Sequence, residues 1–302
     1  MLKYTIMKKI NYLLTIVLVM AGMLVVAQEY SPYYKVAVKE GNTQSVAKSY
    51  KAFVTHAGFQ VVGEYHPENK GSLYVVCFTN DALKNLSLKF KDRGALGAVL
   101  RMGFVEKNGK TTVSIVNPYY MFYAYWGAQM GTSEQAVDAM AESILKLFRS
   151  DGVLSPFGGT IDKEELPEYH YKIMMPYFDD PDELEEFDSF EQGLTTIRKN
   201  LADKKGNTVK VYEMVFPDQQ IAVFGVGLLD KETGEANFLP IIGEDHIAAM
   251  PYEIILQGKE ATSLAGKYRF ALYWPELTMG EFMKIMSTPG DVEDTMEGLT
   301  KE

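Results

Sequence analysis

Three charged residues stand in stretches that are otherwise apolar. Arg101 lies in Ala98-Val99-Leu100-Arg101-Met102-Gly103-Phe104-Val105, Glu253 in Pro251-Tyr252-Glu253-Ile254-Ile255-Leu256, and Arg269 in Tyr268-Arg269-Phe270-Ala271-Leu272. A charge on a buried strand is costly unless it is paired, so each needs an ion-pair partner or a ligand. The structural reading pairs Glu253 with Arg269 across a hairpin. The functional reading holds a small anionic ligand at Arg101 or Arg269, beside Asn117, Tyr119, Tyr120 and Tyr125, with Glu253 at the same site. The run from Tyr119 to Trp126 holds more rings than one helix face can bury. Interfaces favour Tyr and Trp, so its first reading is a contact between two halves of the chain. A homodimer contact comes second and a ligand wall third.

Other chemistry finds less support. His56, His66, His170 and His246 fall at none of the short spacings a transition-metal site uses. No G-x-S-x-G elbow presents a nucleophile, and Ser114 and Ser189 read as strand and helix-cap residues. Among 40 acidic residues, chance pairs of carboxylates are plentiful, so paired acids alone do not argue for a glycosidase. Gly225-x-Gly227 reads as strand, and Gly158-Gly159 lacks the lysine of a phosphate loop. Met279, Met283 and Met286 recur at helical spacing, which would suit copper(I); core packing explains the same stripe more simply. No catalytic residue, metal or cofactor is assigned.

The positioning elements begin after an export signal. Lys3, Lys8 and Lys9 precede an apolar run from Ile10 to Val26, and Val25-Val26-Ala27 offers a cleavage site. Residues 1–27 therefore read as a signal peptide, with an uncleaved anchor as the rival. The protein is expected to be exported to the periplasm or the medium, with no further membrane span. Without the three lysines of that segment, 27 basic residues face 40 acidic ones, a net charge of −13. Such a surface repels phosphate backbones and argues against a nucleic-acid partner. The single cysteine, Cys77, excludes an internal disulfide and reads as a small buried hydrophobe.

The hydrophobic periods predict an α+β fold in two related halves, each β-α-β-β-α-β-β-α, as a tandem duplication would give. In residues 28–150, strands are expected at 34–38, 59–65, 73–79, 98–105 and 111–116. Asn108-Gly109 supplies a hairpin turn. Helices are expected after Asn42, Asn80 and Asn117, and another from about Thr132. Residues 151–168 have linker composition. In residues 169–302, strands are expected at 169–175, 208–216, 221–228, 251–257 and 267–273, with helices after Ser189 and Thr278 and a short one at most around His246 to Met250. The acidic block from Asp179 to Glu186 reads as a solvated insertion, with calcium as the less favoured reading because no EF-hand pattern is present.

Over roughly residues 34–126 the chain resembles the bacterial family called domain of unknown function 302. The resemblance rests on Ala57-Gly58-Phe59-Gln60-Val61-Val62-Gly63-Glu64-Tyr65, on Thr79-Asn80-Asp81-Ala82-Leu83-Lys84, on Arg101, and on Val113-Ser114-Ile115-Val116-Asn117-Pro118-Tyr119-Tyr120. Met250-Pro251-Tyr252-Glu253-Ile254 and Gly266-Lys267-Tyr268-Arg269 look like the partner half of exported two-part members. The resemblance implies a small α+β domain and brings no activity. The expected function is a non-enzymatic module that binds a small ligand or a protein partner. An extracytoplasmic hydrolase and a metal carrier are the alternatives. A binding module should present a concave apolar groove, and an enzyme a deep cleft holding acids of raised pKa.

Overall fold

The computed structural model describes residues 28–172 and 174–302; the signal-peptide reading of residues 1–27 lies outside the described residues. β1 (Glu29–Tyr30) and β2 (Tyr33–Glu40) lead to α1 (Thr43–His56). The Asn42 side chain accepts from Ser45 N at 2.9 Å, satisfying one of the amides a helix start leaves free. β3 (Gln60–Tyr65), β4 (Leu73–Thr79) and α2 (Asp81–Ser87) follow, then the hairpin of β5 (Leu100–Lys107) and β6 (Lys110–Val116). Asn108 and Gly109 turn that hairpin with φ of 56° and 77°, the left-handed region this tight turn requires. α3 (Pro118–Trp126) and α4 (Glu134–Arg149) pack together beyond it. β7 (Ser155–Phe157) then pairs with β2, and β8 (Ile161–Asp162) with β1.

The second half contains β9 (Asp182–Glu186), α5 (Phe190–Ala202), β10 (Thr208–Phe216), β11 (Ile221–Leu228) and α6 (Glu235–Ile242). β12 (Tyr252–Gln257), β13 (Glu260–Ser263), α7 (Gly266–Tyr273), α8 (Met279–Phe282) and α9 (Thr288–Gly298) complete it. The first main sheet runs β3-β4-β5-β6-β2-β7 and the second β10-β11-β12-β13-β9. Apart from β7 the two orders correspond strand for strand, and every pairing is antiparallel. The fold is α+β, and the element order β-α-β-β-α-β-β-α occurs twice.

Two expected strands of the second half are corrected. The stretch expected as a strand at 169–175 shows none among its described residues, and the first strand is β9, inside the acidic block. An outermost strand tolerates charge because only its sheet-facing side is buried, here Leu184. The strand expected at 267–273 is the helix α7, and β12 pairs instead with the nearer β13. Its aromatic side chains suit either state, and packing against α3 decides for the helix. α6 went unrecognised because Pro240 inside it reads as a breaker.

A repeated spacing was also overlooked. Tyr120, Phe122, Tyr125 and Trp126 of α3 stand at the same intervals as Tyr268, Phe270, Tyr273 and Trp274 at α7. Each helix follows the last hairpin of its half. The halves approach closely elsewhere too. A Cβ added at Gly63 of β3 would lie 2.0 Å from the Val211 carbonyl oxygen of β10.

Candidate functional site

α3 and α7 meet at the boundary between the halves, and their contacts are reciprocal. The Tyr120 hydroxyl donates to the Leu272 carbonyl at 2.6 Å, and Tyr268 to the Ala124 carbonyl at 3.5 Å. The Tyr125 and Tyr273 hydroxyls share a hydrogen bond of 2.7 Å. Arg101 enters the same boundary from β5. Its Nη1 donates to Glu253 Oε1 and its Nη2 to the Tyr273 hydroxyl at 2.5 Å. Tyr212 gives Glu253 a further donor at 3.2 Å. Desolvation works against the charge on Arg101, but Glu253 and the surrounding hydroxyls outweigh it and hold the guanidinium well above its ordinary pKa.

The expected pairing of Glu253 with Arg269 is therefore corrected. Glu253 meets Arg101, from the other half of the chain, because Arg269 lies on a helix and not on the neighbouring strand. Arg269 Nη2 donates to the Ala249 and Pro251 carbonyls at 2.5 and 2.8 Å, and its guanidinium lies 3.6 Å from the Tyr252 ring centroid. Cation–π contact and carbonyl acceptors thus stabilise this charge. Arg101, Tyr125 and Glu253 gather in one buried network, with Tyr120 and Arg269 beside it. Asn117 stands apart, capping α3 through Tyr119 N and donating to the Ser31 carbonyl at 2.8 Å. Tyr119 is half-buried, stacked on Tyr30 at 5.3 Å.

Glu235, which no sequence signal singled out, is a second tie between the halves. Its carboxylate accepts from Tyr65 at 2.7 Å and Glu68 N at 3.2 Å in the first half, and from Leu228 N at 3.1 Å in the second. Burial pushes its pKa up to about 7 despite these three donors. Asp182 is likewise raised, to about 6, by burial and then by the nearby charge of Glu293. The Cys77 thiol is pushed up by burial, so the thiolate needed for reactivity is disfavoured.

One concave surface of the second half is lined mainly by apolar side chains. A groove of about 250 Å³ runs between the segment around Tyr171 and Met175 and the faces of α7 and α8. Phe270, Trp274, Leu277 and Phe282 form much of its wall. Trp274 is buried to within 2 % of its surface, yet its indole N–H has no acceptor among the described residues. The methionine stripe continues from this groove and is not core, correcting the packing expectation. Met279, Met283 and Met286 are 53, 57 and 60 % exposed, because α8 and the turn after it bury Ile285 instead. A larger cleft of about 560 Å³ has a different character, with Glu183, Glu185, Glu186, Glu260 and Asp92 around Arg93. Among the described residues, no three His, Cys, Asp or Glu side chains cluster as metal ligands would. No helix among them is long and apolar enough to cross a membrane.

No family model matches the chain, and no curated protein matches it. A solved structure described as an uncharacterized conserved protein DUF302 from Bacillus stearothermophilus is similar over 38 % of this chain and 93 % of its own. The identity is 11 % and the TM-score 0.30. Over that segment, the chain resembles a protein of the domain of unknown function 302.

Proposed function

We propose that this protein is an exported, non-catalytic binding module whose ligand enters the groove lined by α7, α8, Tyr171, Lys172 and Met175. The observation that carries the reading is the apolar wall of that groove, formed by Phe270, Trp274, Leu277 and Phe282. Ligand sites are typically apolar concavities with few polar groups, and flexible methionines suit adaptable contact surfaces. The raised acids point away from catalysis. Glu235 is consumed by three donors, and neither it nor Asp182 lines one of the clefts described above. Arg101 and Glu253 serve in this reading as the clamp that holds the halves together. The common strand order and the repeated aromatic spacing support a tandem duplication.

The test uses N-phenyl-1-naphthylamine, a neutral apolar dye whose fluorescence rises on burial. Ala271 lies in the groove wall, half-buried on α7. The mature protein should bind the dye saturably, and Ala271→Phe, with an unchanged circular dichroism spectrum, should abolish the signal. Equal dye binding by the folded variant, or none by the parent, would sink the reading.

A further inference from the structure

We infer that the groove's ligand is an amphiphilic anion, a medium-length acyl chain ending in a carboxylate or similar head; this rests on the binding reading above. The protein carries a formal charge of −10, so an average stretch of its surface repels anions. The groove departs from that average, because Lys172 and Lys267 line it and no acidic residue does. Both lysines are exposed, and neither forms an ion pair among the described residues. Lys172 Nζ instead lies 4.9 Å from the Tyr171 ring centroid, over the groove's own aromatic wall.

The acidic cleft makes the contrast internal to the molecule. That cleft is lined mainly by carboxylates, with Arg93 and Lys301 among them. At the apolar groove it places two unpaired ammonium groups beside walls of Phe270, Trp274, Leu277 and Phe282. An apolar tail removes wall and chain from water together, and the head remains at the rim where both lysines reach it. A neutral oil would leave the lysines without a partner, and a cationic surfactant would be repelled by them.

Three probes with one tail and different heads test this on the mature protein by displacement of the naphthylamine dye. They are dodecanoate, dodecyl maltoside and dodecyltrimethylammonium, each below its micelle threshold. Dodecanoate should displace the dye most tightly and lose affinity as salt rises. A Lys172→Gln/Lys267→Gln variant should bind dodecanoate roughly fivefold more weakly, since two exposed charge contacts are worth about that much together. The same variant should bind the dye and the maltoside as the parent does, which shows that it is folded. Equal affinity for all three heads, or a variant unchanged toward dodecanoate, overturns the anionic head and leaves the groove standing. Failure of every probe and of the dye itself overturns both.

Discussion

Trp126 and Trp274 close the same repeated spacing, one in each half, and their surroundings differ. Trp126 is sealed. Its N–H donates to the Gly94 carbonyl at 2.9 Å, and its ring stacks on Phe90 and Phe122 at 4.7 and 4.4 Å. Gly97 lies against it so tightly that a Cβ there would come within 2.5 Å of the indole. Trp274 has no acceptor among the described residues, and one side of its pocket is the open groove. Met121 of α3 and Arg269 of α7 occupy matching places between the repeated Tyr and Phe, both buried, one apolar and the other charged. A common scaffold thus carries one tryptophan sealed in core and one beside an open groove, and the boundary between the halves holds shared hydroxyls and the buried Arg101–Glu253 ion pair.

The comparison breaks most completely if that boundary fails. Arg101→Met should leave Glu253 buried without its cation and lower unfolding stability by about 4 kcal/mol. Urea denaturation measures this, and an Arg101→Met/Glu253→Leu double variant should regain most of the loss. A double variant as unstable as the single one would show that the pair matters through more than its charges.

Glu235 offers a milder break that depends on pH. Its folded carboxyl titrates at about 7 against an ordinary 4.5, so between those values the folded state holds more protons than the unfolded one. Its contribution is therefore fully present below about pH 4.5 and is lost as pH rises through 7, a change of about 3 kcal/mol. Glu235→Gln should flatten that slope, leaving the smaller part due to Asp182, which acts in the same direction. An unaltered slope would place the titration elsewhere.

On the sealed side, Gly97→Ala should force Trp126 outward and cost about 2 kcal/mol, read as a lower melting temperature. Dye binding in the groove should persist in that variant below its melting point. The smallest effect separates the two shared hydroxyls. Tyr125→Phe removes one hydrogen bond and should cost about 1 kcal/mol, less than Tyr273→Phe, which also strips a donor's partner from Arg101. Equal losses would mean that the Arg101 contact contributes little.

Much of the first half was legible because its signals are local. Asn42, Asn80 and Asn117 all accept from the first turns of the helices expected to follow them, and Asn108-Gly109 turns its hairpin. In the second half the same reasoning failed where local chemistry is ambiguous. Lys267 to Tyr273 mixes aromatic and helix-favouring residues, and its neighbours across the boundary settle the matter. Arg101 and Glu253 were rightly singled out as charges in apolar settings, but their pairing spans 152 positions and no spacing rule reaches that far. The groove was illegible for a similar reason. Its walls come from separate segments, and the methionine period beside it describes a buried and an exposed helix face equally well.

The reciprocal tyrosines have one more consequence. An interface in which each helix offers the other the same donor and receives the same acceptor is self-complementary, as in a two-fold dimer. A chain nicked within residues 151–168 should therefore stay together as a non-covalent complex. Two separately produced fragments should likewise find each other, each supplying the template for its counterpart. The covalent link then acts chiefly as a tether that raises local concentration.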